Sequence, residues 1–353
     1  MSKRNKLAVL IMVLIGVSIF AFEMRDLNIH QVWRTLMGLR LRWVAVALLV
    51  MLATWVIETL VVQIFVQHDG ERLPFKAALR VPLVEQLFNA ITPFASGGQP
   101  AQLVALMQSG VEAGRASSVL LMKFIVYQFM VLINFVLTLI VGFQQIAGRF
   151  QALAWLIVFG FLIHITVITG LLLVMYQYKF TKKLVNWALH FLGLFMSPKR
   201  LAMWKQRMDL KIDTFYAESL HLKREKKRVV KAAALTMLQL LLYYSVPYFV
   251  LLSFGVQHVD LIEVMVLHVM IVMIVSLFPI PGGTGGAEYS FKTLFGAYVA
   301  SAPRLLLAML LWRFLTYYLG MICGIFALGV TPNKMAAAPL DPRELLARQH
   351  DKD

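Results

Sequence analysis

Apolar stretches long enough to cross a bilayer recur along the chain, and that one feature removes most folds from consideration. A hydrocarbon core of about 30 Å takes about 20 residues of helix. Leu7–Phe22, Trp43–Val66, Val119–Gly142, Leu153–Tyr176, Ala232–Phe254 and Leu305–Val330 read as spans, and Leu261–Phe278 is apolar until Pro279 stops it. Composition agrees: 60% of the 353 residues are hydrophobic and 15% are charged, against about 45–50% and about 25% in soluble domains. A soluble globular protein, a disordered chain, a fibrous repeat and a disulfide scaffold are excluded. Leu7–Phe22 follows Lys3, Arg4 and Lys6 as a signal peptide would, but Phe22, Glu23 and Met24 offer no small-x-small cleavage site. It reads as an uncleaved first helix.

Two stretches are not simple spans. Pro82–Met107 is too polar for lipid and too apolar for a plain loop, and Pro279–Ala300 opens on prolines and glycines before a helical pattern resumes. Irregular backbone at membrane depth is tolerated only inside protein or beside a cavity. The expected fold is therefore an all-α polytopic membrane protein. It has about 7–8 transmembrane helices, plus two re-entrant or broken helices that form an internal repeat. Residues 1–332 make the transmembrane domain and 333–353 a polar tail.

The formal net charge is +16, from 34 Lys+Arg against 18 Asp+Glu. No basic globular module is left over to bind nucleic acid. Residues 177–230 hold 13 Lys+Arg against Asp209, Asp213, Glu218 and Glu225, and the positive-inside rule puts them in the cytoplasm of a plasma-membrane protein. Alternating crossings then put both termini inside. The Glu23–Arg42 connection carries four arginines on the side expected to be outside. A short amphipathic helix through Ile29, Trp33 and Leu36 reconciles this. The basic segment is a headgroup-facing surface or a docking site for a cytosolic partner. Cys323, alone in an apolar run, excludes disulfides and redox motifs.

The two irregular stretches resemble each other. Thr92-Pro-Phe-Ala-Ser-Gly-Gly-Gln-Pro-Ala-Gln102 aligns with Phe278-Pro-Ile-Pro-Gly-Gly-Thr-Gly-Gly-Ala-Glu288 at an offset of 186, matching Pro93 with Pro279, Gly97 with Gly283, Ala101 with Ala287 and Gln102 with Glu288. Paired Pro/Gly-interrupted segments in corresponding halves point to a transporter binding site. Proline stops the incoming helix, glycine lets backbone N–H groups approach a ligand, and the next helix offers its N-terminus to an anion. A phosphate held after Gly98 and Gly286 fits. The candidate site is Pro93, Gly97, Gly98, Gln99 and Gln102 with Pro279, Pro281, Gly282, Gly283, Gly285, Gly286 and Glu288. The other reading of the glycines is tight helix packing.

Ionisable residues inside spans are functional candidates by default. Glu288 and Lys292, four residues apart, share a helix face and can pair. Lys292, Arg304 and Arg313 are candidates to hold a lipid phosphate, with Glu288 organising them. Glu58 is inside the second span, and Glu85, Gln86 and Asn89 precede the first Pro/Gly element. Lys123, near the start of its span, reads as snorkelling to the interface. His164 and His268 stand alone on apolar faces and read as satisfied core residues. No Cys/His/carboxylate cluster has metal spacing, no nucleophile elbow is present, and no cofactor is expected.

The pair TPFASGGQPAQ and PIPGGTGGAE resembles the membrane region of the lysylphosphatidylglycerol synthase family, the flippase-like integral membrane proteins, over residues 5–332. The resemblance implies movement of aminoacylated phosphatidylglycerol between leaflets, with lower surface charge and resistance to cationic antimicrobial peptides. Full-length synthases add a cytosolic acyltransferase domain. Only 23 residues follow Val330 here, so the transferase is expected to lie elsewhere. Four functions stay open: translocation of an anionic or aminoacylated phospholipid such as lysyl-phosphatidylglycerol; a phosphatidylglycerol lysyltransferase, which alone would require Lys-tRNA; a membrane docking subunit for a cytosolic partner; and a transporter of a soluble anion.

Overall fold

A computed structural model describes residues 29–67, 72–149, 151–193, 225–256, 258–299 and 301–330, with short pieces between 203 and 224. The expected first span Leu7–Phe22 and the tail 333–353 lie outside the described residues. Every element described is helical. In chain order they are α1 Ile29–Met37, α2 Leu41–Val66, α3 Phe75–Ile91, α4 Gly98–Gln108, α5 Ala113–Arg149, α6 Gln151–Tyr176 and α7 Tyr178–Gly193, followed by α8 Lys226–Ser253, α9 Leu261–Val275, α10 Gly286–Phe295, α11 Ala302–Arg313 and α12 Leu319–Gly329. A π-helical turn, Phe314–Tyr318, joins α11 to α12.

Among the described residues five helices are long and apolar enough to cross a membrane: Leu41–Val66, Ala113–Val141, Val158–Tyr176, Lys226–Ser253 and Ala302–Gly329. Their outward faces carry large bare apolar side chains, with Leu49, Ile140 and Phe326 all exposed, while Glu58, Lys123, Glu288 and Arg313 are buried. A chain that turns hydrocarbon outward and charge inward is built for lipid, because water would favour the reverse. α1 supplies the short amphipathic helix expected from Ile29 and Trp33, and Trp33 is exposed on it.

The internal repeat is present in the architecture. Helix α2, helix α3, a short 3-10 turn, helix α4 and the span α5 are followed, after α6 and α7, by α8, α9, a second 3-10 turn, α10 and the span α11–α12. The first break is Pro93–Ala95 and the second Pro281–Gly283. Its register corrects the sequence alignment. Pro93 matches Pro281, and the start of α4 at Gly98 matches the start of α10 at Gly286, an offset of 188 rather than 186. Glu288 therefore falls opposite Pro100, and Gln102 opposite Ser290.

The halves pack through equivalent parts. α2 lies along α8, α3 packs on α12 of the other half as α9 packs on α5, and the two breaks touch each other. Pro279 explains where α9 stops: it has no N–H to give the Val275 carbonyl, and the helix ends at Val275. The arm before the first break is longer than the sequence suggests. It starts at Phe75 and takes Pro82 into its interior.

Candidate functional site

The breaks meet at a cavity of about 640 Å³ between the halves, within the range of about 300–1,000 Å³ typical of ligand sites. The first half lines it with Glu58, Glu85, Asn89, Gln99 and Lys123, and the second with Gly282, Gly283, Arg313 and Tyr317; α6 adds His164.

Three helices of the first half converge on one ammonium. Lys123 on α5 donates to Glu58 on α2, to Glu85 Oε2 on α3 at 2.9 Å and to Gln102 Oε1 on α4 at 2.9 Å. An ammonium has three protons, so its donors are used up. Gln239 of α8 adds a bond to Glu58 Oε2 at 3.3 Å. The snorkelling reading of Lys123 is corrected: the residue is 7% exposed, because two carboxylates hold it inside the bundle. The sequence offers each of these residues singly, but their meeting depends on helix packing.

The second half ties a cation to its broken backbone. Arg313 Nη2 donates to the Gly282 carbonyl at 2.9 Å. Arg313 Nε lies 2.8 Å from Glu288 Oε1, an ion pair whose N–H is not aligned for a hydrogen bond. The other oxygen, Glu288 Oε2, accepts the Gly285 N–H at 2.6 Å. This carboxylate occupies the helix N-terminus where the sequence places a phosphate, and it turns to Arg313 across the site. The guanidinium also lies over the Tyr317 ring, 4.6 Å from its centroid. Tyr317 reaches into the first half and donates to the Ala90 carbonyl at 2.9 Å, one residue before α3 ends.

The glycines serve packing as well as turn geometry. Gly282 has φ +66°, and a Cβ there would sit 2.3 Å from the Tyr317 ring. A Cβ on Gly286 would come within 2.5 Å of the Phe278 ring, and one on Gly98 within 2.1 Å of the Asn89 side chain. In the first break, Phe94 and Ala95 hold the positive φ values, +53° and +52°. The Thr92 hydroxyl braces that turn, donating to the Phe88 carbonyl at 2.7 Å and accepting the Gly97 N–H at 2.8 Å.

Of the sequence candidates, Gln99, Gly282, Gly283 and Arg313 line the cavity. Gln102 and Glu288 stand directly behind it, bonded to its two cations. Pro93, Gly97, Gly98, Pro279, Pro281, Gly285 and Gly286 shape the two breaks. Lys292 is half-buried on α10 away from the cavity lining, and Arg304 is exposed at the start of α11; neither joins the site. His268 is satisfied: its Nε2 accepts from Trp312 Nε1 at 3.3 Å, and its Nδ1 is 3.3 Å from the Tyr244 carbonyl. His164 is not. It is 8% exposed, lines the cavity, and has no partner among the described residues on either ring nitrogen. No local sequence signal separates these two histidines.

In the part of the basic segment described, α7 carries Lys179, Lys182 and Lys183 beside exposed Phe180, Leu184 and Trp187. The Tyr178 hydroxyl, 3.0 Å away, and then Asp209 raise the pKa of the Lys182 ammonium. Among the described residues no group of His, Cys, Asp and Glu is placed to hold a metal ion.

The profile described as lysylphosphatidylglycerol synthase TM region matches residues 8–324 of this chain. A UPF0104 membrane protein of Archaeoglobus fulgidus is 23% identical over 327 residues, covering 88% of this chain and 93% of the relative.

Proposed function

The chain belongs to the lysylphosphatidylglycerol synthase transmembrane-region family, and from that premise we propose that it binds the headgroup of an aminoacylated phospholipid, such as lysyl-phosphatidylglycerol, and carries it between leaflets of the plasma membrane. The observation that carries this reading is the cavity at the meeting of the two breaks, with charged groups contributed by both halves. Arg313 suits the lipid phosphate. Glu85 suits an ammonium on the aminoacyl group, because Lys123 is shared between two carboxylates and leaves one negative charge over. A plain anionic headgroup would meet that surplus carboxylate and be disfavoured.

The repeat supports movement as well as binding. If each broken arm pair enters and leaves on one face, three crossings (α2, α5 and α6) separate the start of the first half from the start of the second. The halves are then oppositely oriented, and their breaks approach the cavity from opposite faces. Inverted repeats of this kind rock about a fixed midplane site. Delivering an aminoacylated lipid to the outer leaflet would lower the negative charge met by cationic peptides.

The test is a leaflet-exposure assay in proteoliposomes. Fluorescent phosphatidylglycerol and fluorescent lysyl-phosphatidylglycerol are compared for the wild type, Glu288→Ala and Arg313→Ala at equal insertion. The expected result is faster exchange of the lysyl lipid by the wild type and slower exchange by both variants. Failure of the wild type to move either lipid sinks the reading.

A further inference from the structure

We propose that Glu85 is a proton-binding site, and that the cavity exchanges one proton for one cationic headgroup. The proposal rests on the headgroup reading above and deepens it. Its ground is the unequal treatment of two neighbouring carboxylates. Glu58 receives Lys123 on one oxygen and Gln239 on the other. Among the described residues Glu85 receives Lys123 alone, at 2.9 Å. The ammonium cannot give more, because its third proton goes to Gln102.

Glu58 and Glu85 also share the single Lys123 ammonium, so two acids meet one cation. Two carboxylates against one ammonium leave one negative charge over, and the acid that receives fewer donors is the one to take a proton. Both side chains are buried, at 8% and 13% exposure, so the surplus charge cannot be left to water. It is cancelled by a proton when the cavity is free of lipid, and by the headgroup ammonium when lipid is bound. The proton leaves as the ammonium arrives.

A second observation points to an occupant of the same cavity. The imidazole of His164, 8% exposed, has neither nitrogen satisfied among the described residues. A buried polar group that the chain leaves unpaired is expected to meet a ligand. The remaining titratable or charged groups facing Glu85 around the cavity are Tyr127 beside Lys123 on α5, Tyr243 on α8, Tyr317 on the π turn, and Arg313 on α11 with Glu288 behind it. The charge of Arg313 is already balanced by Glu288, which leaves Lys123 as the counter-charge of Glu58 and Glu85.

One proton per lipid fixes a thermodynamic result that does not depend on rate. In proteoliposomes of phosphatidylcholine with a trace of fluorescent lysyl-phosphatidylglycerol, a gradient of one pH unit shifts the steady-state leaflet ratio about tenfold in the wild type. Glu85→Gln settles at a ratio of one at whatever rate it works. Wild-type exchange that ignores the gradient overturns the proposal and leaves the translocation reading standing. A second measurement does not need translocation. Short-chain lysyl-phosphatidylglycerol added to the detergent-solubilised full chain in weak buffer is expected to release about one proton per bound lipid, and none from Glu85→Gln. Binding without proton release overturns the proposal. No binding overturns both readings together.

Discussion

At the first break ordinary residues take the positive φ values beside a bracing threonine, and at the second glycines take them. Thr92 braces Phe94 and Ala95, two ordinary residues forced to positive φ, with two hydrogen bonds of its hydroxyl. The second break has Ile280 where the first has Thr92, and there Gly282 and Gly283 reach the same region without a Cβ. The cations differ in the same sense. Lys123 ties side chains of α2, α3 and α4 together, whereas Arg313 grips the Gly282 carbonyl and the carboxylate that caps α10. One backbone plan thus carries two devices. The first half fastens helix to helix, and the second fastens a span to its own broken loop. A rigid half beside a half hinged on glycine is a division of labour suited to rocking about a cavity.

The largest test of this difference is the pair Lys123→Met and Arg313→Met. Removing Lys123 leaves Glu58 and Glu85 without their shared cation, and breaking a buried pair in this way costs about 3–5 kcal/mol. Removing Arg313 leaves Glu288 with the Gly285 N–H still bonded, so a smaller loss of about 2–3 kcal/mol is expected. Thermal unfolding in detergent gives the order, with Lys123→Met melting lower. Adding Glu58→Gln and Glu85→Gln to Lys123→Met recovers much of the loss. Equal losses for the two single variants would break the comparison. Next in size is Gly282→Ala. It adds a left-handed penalty of about 1–2 kcal/mol to a clash with the Tyr317 ring, which costs about 1–3 kcal/mol in a packed core. The melting temperature should fall, and lipid exchange should fall with it.

The spans were legible because run length in lipid is set by bilayer thickness and little else. The breaks were legible because proline and glycine have few other reasons to interrupt an apolar stretch. The repeat was legible in kind but not in register: matching Pro93 to Pro279 gave 186, whereas backbone geometry matches Pro93 to Pro281. Phe94 and Ala95 play the part of Gly282 and Gly283, and nothing in their identity announces positive φ. The ion cluster was visible only as separate residues, since Glu58, Glu85 and Lys123 come from three helices and meet through packing. His164 and His268 look alike in sequence, and only tertiary contacts leave one of them bare in a cavity. Arg304 and Lys292 stand out in the sequence as charges within apolar segments, and in the fold neither is among the residues lining the cavity.

Smaller effects sharpen the contrast. Tyr317→Phe removes the bond from the π turn to the Ala90 carbonyl and keeps the ring over Arg313. A loss of about 1 kcal/mol is expected from one hydrogen bond, together with faster hydrogen exchange at the end of α3 and little change around α10. Equal protection at both ends would mean that the halves are not joined there. Ala95→Gly has the smallest expected effect and the opposite sign. The native φ of +52° strains alanine, at about 1–2 kcal/mol, while glycine loses about 0.5–1 kcal/mol through the freedom of its unfolded chain. The net expectation is a gain of about 0.5–1 kcal/mol, read as a small rise in melting temperature. The corresponding change at the second break, Gly283→Ala, has φ +60° and a Cβ only 2.3 Å from the Val275 side chain, so it should lose stability. Opposite signs at structurally matched positions are what a side-chain-braced break and a glycine break require. A loss at Ala95 would show that the first turn is held by more than Thr92.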